Sequence, residues 1–208
     1  MVQELKKENK AVLGLTGTFG SGKTTAANFF EELGAFVIDS DRLAHEALLK
    51  GSPVYTRIAD IFGKSVEEDQ SGINRKWLAG VIFTDGAKRK KVESIIHPYV
   101  FSRIEEEIQA ASQKVVVVEV PLLFETGFER FCDDVLVVTA DEEVVKQRLK
   151  QKGFNEREIN ERVKAQMPVE EKMKKANAII DNSKDFKSTR KRVEEIYRKY
   201  QPLSKGAK

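Results

Sequence analysis

The sequence predicts an α/β fold in which helices flank a mostly parallel sheet. Five short apolar segments of strand length alternate with longer segments of helical periodicity. Four consecutive valines at 115–118 are β-branched and apolar throughout, which is typical of a strand covered on both faces. A glycine-rich turn directly follows the first apolar segment and precedes a helical pattern, so the chain opens with a strand, a loop and a helix.

Each element can be placed in chain order. The five predicted strands cover residues 11–16, 35–38, 115–118, 135–139 and 178–180. The main predicted helices cover residues 23–33, 142 to about 153, 155–166 and 186–200. Gly34 and Gly153 are expected to end two of these helices, and Asp141 to cap the N-terminus of one.

A long helical stretch separates the second and third strands. Residues 39–111 are punctuated by Pro53, Gly63, Gly72 and Pro98. The stretch is too long for a simple crossover, so we expect an insertion that binds a substrate. The whole chain, 1–208, is then one unit, with a core at about 11–39 and 114–200, a helical acceptor-binding region at about 40–112, and a mobile, charged lid at about 148–170.

The composition is that of a globular protein with weak attraction for nucleic acid. Hydrophobic residues make up 40% and charged residues 33% of 208 residues, and the formal net charge is only +3. The single cysteine, Cys132, excludes an internal disulfide framework and a cysteine-based zinc site. The polar N-terminus does not resemble a secretory signal, and no apolar run approaches the ~20 residues of a membrane span. We therefore expect a cytoplasmic monomer or weak homo-oligomer without nucleic-acid or membrane partners.

Residues 17–24 form a complete phosphate-binding loop. The pattern G-x-x-x-x-G-K-[ST] is filled by Gly17, Thr18, Phe19, Gly20, Ser21, Gly22, Lys23 and Thr24. The glycines let the backbone turn its N–H groups toward phosphate oxygens, and the following helix adds its positive N-terminal end. Lys23 is expected to neutralise the β- and γ-phosphates, Thr24 to ligate Mg²⁺, and Thr25 to hydrogen-bond a phosphate. The loop therefore predicts a site for ATP with Mg²⁺.

Carboxylates follow two predicted strands, where ligands bind in open parallel sheets. Glu119 comes directly after the valines and is the candidate second metal ligand, the alternative being a charged residue that merely ends a strand. Asp41 follows the second strand and is the candidate base for an attacking hydroxyl, whereas Asp39 is better explained as a helix cap. Together with Lys23, these residues predict an ATP-dependent kinase that phosphorylates a small molecule.

Several segments resemble the dephospho-CoA kinase family, in family order over about residues 11–182. They are 14–17 with 20–24, 37–41, 72–75, 96–98, 121–125 and 180–182. The His-Pro pair and the Pro-Leu-Leu-Phe-Glu run discriminate far better than the phosphate loop, which many NTPases share. The resemblance implies phosphorylation of the ribose 3′-hydroxyl of dephospho-CoA by ATP. It also implies a sheet of strand order 2-3-1-4-5, a CoA-binding helical region and a lid.

The resemblance also implies roles for residues on the acceptor side. Asp41 falls on the second aspartate of the family's Asp-Ala-Asp motif, the expected base. Arg75 and His97 fall on positions associated with the acceptor pocket. The remaining expected substrate contacts are Pro121, Leu122 and Glu125.

Two positions depart from the family pattern. Without a gap, the family's Arg-x-x-x-Arg pair falls on Gln147 and Gln151, and after a slip of one residue it falls on Arg148 and Lys152. We prefer the slip, because a lid must supply positive charge to the transferring phosphoryl group. Arg148 is therefore the catalytic candidate and Arg162 a further lid candidate. The family's Ala-Asp before the last strand is Ala176-Asn177 here, a change expected to affect the adenine loop and not the chemistry.

Three other functions compete with this interpretation. A kinase for a nucleoside monophosphate would share the loop, Asp41 and the lid. A regulatory GTPase needs a D-x-x-G motif, but the match at 69–72 follows the polar Glu67-Glu68 and not a strand, and 182–185 only loosely resembles a guanine motif. A nucleic-acid-binding ATPase needs a basic surface interleaved with aromatic residues, which the sequence lacks.

Overall fold

The computed structural model describes residues 10–63, 66–68 and 72–201. The chain divides into two compact units, Met1–Ile38 with Ile108–Lys208, and Asp39–Glu107. The strands are β1 (Ala11–Gly17), β2 (Phe36–Asp39), β3 (Glu67–Glu68), β4 (Gly72–Ile73), β5 (Val115–Glu119), β6 (Asp134–Thr139) and β7 (Ala178–Asp181). The helices are α1 (Lys23–Glu32), α2 (Ser40–Ala47), α3 (Pro53–Phe62), α4 (Arg75–Thr84), α5 (Gly86–Ala110), α6 (Glu142–Gln151), α7 (Glu156–Lys164), α8 (Val169–Lys175) and α9 (Phe186–Arg198).

A five-stranded sheet organises the first unit, in the order β2-β5-β1-β6-β7. Counted within this sheet alone, the order is 2-3-1-4-5, which confirms the predicted fold class and strand order. The pairs β1–β5, β1–β6 and β6–β7 are parallel. Strand β1 is central, so the loop that follows it leaves from the middle of the sheet's carboxyl edge.

The apolar strand segments are buried as their composition predicts. Every residue of β5 is buried, and the core of the first unit includes Leu13, Phe30, Val117 and Val193, all fully buried. Burial of each large apolar side chain contributes roughly 1.5–3 kcal/mol. Helices α1 and α9 pack their apolar faces against the sheet in this core. This packing holds α1, the helix that begins at the phosphate loop, in place.

Helix boundaries depart from the predicted ones where capping decides them. Asn155 caps α7 and forms a reciprocal capping box with Glu158, so the helix begins at Glu156. Asp141 precedes α6 as predicted, but its side chain makes no capping hydrogen bond. Helix α8 was not predicted, because its seven residues are mostly charged and carry little apolar periodicity.

The second unit is mainly helical, with its own core. That core includes Ile58, Val66, Leu78 and Val92, all nearly or fully buried. One expectation is wrong: Glu67–Glu68 is a short strand, paired antiparallel with β4. A two-residue strand pairs through its backbone and needs no apolar side chains, so the polar sequence did not indicate a strand here. Of the D-x-x-G match, residues 69–71 lie outside the described residues.

A membrane span requires a helix of sufficient length and hydropathy. No helix among the described residues is long and apolar enough to cross a bilayer.

Candidate active site

The loop between β1 and α1 has the backbone shape that its glycines predict. Gly20 and Gly22 have φ angles of +84° and +91°, in the left-handed region that favours glycine. A Cβ atom on Gly22 would collide with Nδ2 of Asn182. Glycine is therefore required at position 22 both for the backbone conformation and for the close approach of Asn182.

Lys23 is held against the loop that precedes it. Its side chain is buried, and its Nζ donates to the carbonyl oxygens of Gly17 and Thr18, each at 3.3 Å. The Ser21 amide donates to the same Thr18 carbonyl at 3.2 Å, which closes the turn. The ammonium group is thus positioned over the curled backbone, where a phosphate chain would need its charge.

The two candidate metal ligands are brought together. Thr24 Oγ1 donates to Glu119 Oε1 at 3.1 Å, although the two residues are 95 positions apart in sequence. Glu119 is buried at the end of β5, whereas Thr24 is exposed in the first turn of α1. A hydroxyl and a carboxylate are the hard oxygen donors that Mg²⁺ prefers, and Mg²⁺ is usually held by one or two such groups together with substrate phosphates. The described residues contain no cluster of three or more His, Cys, Asp or Glu that would hold a metal ion without substrate.

Asn182 ties the last strand of the sheet to the phosphate loop. Its Nδ2 donates to the carbonyl oxygen of Ser21 at 2.8 Å, and its Oδ1 accepts from the Thr189 hydroxyl at 3.0 Å. Both side-chain groups are buried, so the amide is held in one orientation by one donor and one acceptor. This asparagine lies in the segment 180–182 that resembles the family, but the sequence does not indicate its contacts.

Arg148, the residue favoured by the one-residue slip, lies beside the loop, and its catalytic role stays a prediction. Its Nη2 donates to the backbone oxygen of Asn182 at 2.9 Å, whereas Gln147 on α6 and Lys152 just after it are exposed. Its Nη1 is buried and has no hydrogen-bond partner among the described residues, and the same is true of Ser21 Oγ. A buried polar atom without a partner costs about 1–3 kcal/mol. Both atoms are therefore suited to a polar ligand at the loop.

The acceptor candidates lie in the second unit. Asp41 is exposed in the first turn of α2, and Asp39 caps that helix by accepting from the amides of Asp41 and Arg42, as predicted. Arg42 in turn donates from Nη2 to both carboxylate oxygens of Glu107 at 2.8 Å, which ties α2 to the end of α5. The helix that carries the candidate base is thus capped at its N-terminus by Asp39 and tied to α5 through Arg42 and Glu107.

Arg75 and His97 lie on two other helices of this unit. Arg75 is the exposed first residue of α4, which Asn74 caps by accepting from the Trp77 amide. His97 is half-buried and stacks on Phe101 with ring centroids 6.3 Å apart. Burial lowers the pKa of His97 below its ordinary value, and Glu93 opposes this only in part, so the ring is neutral at pH 7.

One family of known proteins is similar to this chain over most of its length. The model of one protein family, dephospho-CoA kinase, matches residues 11–188. The chain belongs to the dephospho-CoA kinase family. It is 40% identical over 186 residues to a dephospho-CoA kinase of Aquifex aeolicus, covering 89% of this chain and 95% of that protein. A dephospho-CoA kinase of Lactobacillus johnsonii is 38% identical over 188 residues, with 88% and 95% coverage.

Solved structures agree with this family assignment. A Thermus thermophilus protein superposes with a TM-score of 0.84 at 30% identity, covering 93% of this chain and 98% of that one. A dephospho-CoA kinase from Campylobacter jejuni gives a TM-score of 0.62 at 25% identity, with 92% and 98% coverage. A shikimate kinase from Acinetobacter baumannii, at 14% identity and a TM-score of 0.51, shares the fold alone.

The Pro-Leu-Leu-Phe-Glu segment at 121–125, which resembles the dephospho-CoA kinase family, makes contacts with Lys172 and Met167. Glu125 Oε1 accepts from the Met167 amide at 2.7 Å and lies 3.0 Å from Nζ of Lys172, which is fully buried. The Pro121 carbonyl accepts from Lys172 Nζ at 3.0 Å, and Thr126 bonds the Leu122 carbonyl. Lys172 was not predicted as a site residue, because a lysine in the charged seven-residue helix α8 gives no sign of burial. Substrate contact by Pro121, Leu122 and Glu125 stays a prediction.

Asn177, at the position where the resemblance places an aspartate, contacts the backbone at the start of β6. Asn177 Oδ1 accepts from the Val135 amide at 2.8 Å, and the Asn177 amide donates to the Val135 carbonyl at 2.9 Å. A carboxylate would accept the first of these bonds equally well. Asparagine therefore keeps β6 and β7 aligned at their start.

Proposed function

We propose that this protein transfers the γ-phosphoryl group of ATP to the ribose 3′-hydroxyl of dephospho-CoA, giving coenzyme A and ADP. The observation that carries the proposal is the 3.1 Å contact between Thr24 and Glu119 beside a complete phosphate loop. It places a hydroxyl and a carboxylate at the end of the loop where a P-loop kinase holds its metal–nucleotide complex. Membership of the dephospho-CoA kinase family supports the choice of acceptor over a nucleoside monophosphate.

ATP is bound by the phosphate loop and Thr25, together with Arg148 of α6. The amides of residues 17–25 surround the phosphate chain, Lys23 supplies positive charge, and the unpartnered Nη1 of Arg148 stabilises charge on the transferring group. Mg²⁺, held by Thr24 and Glu119 together with the phosphates, would neutralise charge on the β- and γ-oxygens. Ser21 Oγ supplies a further hydrogen bond to the bound nucleotide.

Activation of the acceptor falls to Asp41. Its carboxylate orients the attacking hydroxyl and accepts the proton as the new O–P bond forms and the bond to ADP breaks. Capping of α2 by Asp39 and the Arg42–Glu107 contact hold the helix from which Asp41 projects. Arg75 and His97 bind the acceptor, and neutral His97 does so as a hydrogen-bonding group without charge.

A coupled assay for ADP release tests both the reaction and the acceptor. We expect turnover with dephospho-CoA and ATP, and little or none when a nucleoside monophosphate replaces dephospho-CoA. Turnover of nucleoside monophosphates alone would assign the protein to the competing kinase class. Strong binding of GTP without preference for ATP would favour the GTPase alternative.

The base is tested with a matched pair of variants. Asp41→Asn should lower kcat by at least ~10² while ATP affinity stays near normal, because only proton acceptance is lost. Asp39→Asn is the control, since asparagine keeps the capping acceptor and removes a carboxylate two residues away. Near-normal turnover of Asp41→Asn would exclude it as the base, and an equal loss in both variants would leave the role unassigned between them. The cytoplasmic location and the oligomeric state expected from the sequence stay predictions.

A further inference from the structure

Arg162 of α7 packs on two aromatic rings, Phe19 in the phosphate loop and Phe154 just before the helix. The guanidinium carbon of Arg162 lies 4.8 Å from the ring centroid of Phe19 and 5.1 Å from that of Phe154. The two rings meet edge to face, with centroids 5.1 Å apart and planes at 84°. Phe19 is the third residue of the phosphate loop, so this cluster joins the predicted lid to the nucleotide site.

A second contact holds the same two segments together. The Phe19 amide donates to Oε1 of Gln166, just after α7, at 2.9 Å. Phe19 is thus fixed by its backbone on one side and covered by Arg162 on the other. The backbone contact and the ring contact are separable, because only the second depends on the aromatic side chain.

The charge of Arg162 is not neutralised by the protein. Arg162 makes no hydrogen bond or ion pair with any residue that the structure describes, whereas Arg157, one and a half turns earlier on α7, is paired with Glu161 at 2.8 Å. Aromatic faces attract a guanidinium group through the ring quadrupole while leaving its charge uncompensated. Arg162 is therefore held at the phosphate loop with its full positive charge available to an anion.

We propose that Phe19 and Phe154 form an aromatic seat that positions Arg162 at the phosphate loop, so that both phenylalanines are positioning residues for ATP binding and phosphoryl transfer. The seat places the cation before nucleotide arrives, which lowers the ordering cost of recruiting it from a mobile side chain. Arg162 then contacts the phosphates, in addition to Arg148. The catalytic part of this inference rests on the proposed function, whereas the ATP-binding part does not.

Variants of the full chain separate the effect of an aromatic ring at position 19 from the effect of apolar side-chain volume. Phe19→Leu keeps an apolar side chain and the backbone bond to Gln166, and should weaken ATP binding and kcat/KM for ATP by about two- to fivefold. Phe19→Tyr restores a ring and should restore both values, and Phe154→Leu should reproduce the Phe19→Leu loss. If Phe19→Leu does not fold by circular dichroism, Phe154→Leu and Phe19→Tyr carry the test.

A double-mutant cycle decides whether the rings act through Arg162. Arg162→Met should weaken ATP binding, and Phe19→Leu should then cost nothing further. Arg157→Met on the same helix and Phe186→Leu at a site with 67% exposure are the matched controls and should leave binding unchanged. An undiminished Phe19→Leu effect in the Arg162→Met background, or no effect in the wild-type background, would overturn the seat. Calorimetric ATP binding without acceptor gives this readout even if dephospho-CoA is not phosphorylated, so failure of the seat and failure of the proposed function are distinguishable.

Discussion

The buried pair Lys172–Glu125 leads to a prediction about the order of two stability losses. Lys172 is 0% exposed and its Nζ has two acceptors at 3.0 Å, Glu125 Oε1 and the Pro121 carbonyl. Glu125 is 21% exposed and also accepts from the Met167 amide at 2.7 Å. The two charged groups therefore differ in the hydrogen bonds and solvent access that each keeps after its partner is removed.

Removal of the lysine leaves nothing buried without a partner. In Lys172→Met, Glu125 keeps the Met167 amide and access to water, and the Pro121 carbonyl keeps the Thr16 hydroxyl at 3.2 Å. The loss of charge-assisted hydrogen bonds, partly offset by burial of the methionine side chain, should cost about 1.5–3 kcal/mol. In Glu125→Gln, a fully buried ammonium group loses its counter-charge, which should cost about 3–5 kcal/mol.

Urea unfolding followed by circular dichroism measures both losses as changes in the free energy of unfolding. We expect Glu125→Gln to be the more destabilised variant, and the double variant Lys172→Met/Glu125→Gln to lose less than the sum of the two. Arg157→Met, which breaks an exposed pair on α7, should show no measurable change. The reasoning is refuted if Lys172→Met is the more damaging change, or if the single losses add without coupling.

Three further perturbations have defined outcomes. Gly22→Ala should destabilise the protein by more than ~1 kcal/mol and weaken ATP binding measured by calorimetry, because the φ angle is +91° and the new Cβ would meet Asn182; unchanged binding would contradict the loop geometry. Glu119→Gln should raise the Mg²⁺ concentration needed for half-maximal turnover roughly tenfold or more, whereas Thr24→Ser, which keeps the hydroxyl, should not. Because the pKa of His97 is lowered in the folded state, its contribution to stability is present above about pH 6.5 and is lost as the pH falls through the folded value. His97→Gln should therefore flatten the decline in unfolding free energy measured below pH 6.5, and an unchanged slope would show that another group causes it.

The local part of the fold could be predicted from the sequence. The strand β5 follows from four valines, and the loop follows from glycines at the positions where φ is positive. The helix cap at Asp39 follows from its place at the end of a strand, directly before a helix. In each case the physical cause lies within a few residues of its effect, so a short window of sequence contains it.

The remainder of the site depends on contacts between distant residues, which periodicity does not encode. Asn182 and Ser21 are 161 positions apart, yet one hydrogen bond joins them. Lys172 looks like any exposed lysine until the fold gives it Glu125 as a neighbour. The choice between Gln147 and Arg148 likewise depended on which face of α6 turns inward, because a shift of one residue rotates a helix position by about 100°.

The bond between Asn182 and Ser21 has a consequence for protein synthesis. Strand β1 needs β5 and β6 on its two sides, and the loop after it needs an amide that is itself oriented by Thr189. The ribosome makes the loop among the first twenty-five residues, but β5, β6, Asn182 and Thr189 are all made after residue 114. A growing chain therefore lacks these long-range contacts to the loop until residues 182 and 189 have been translated.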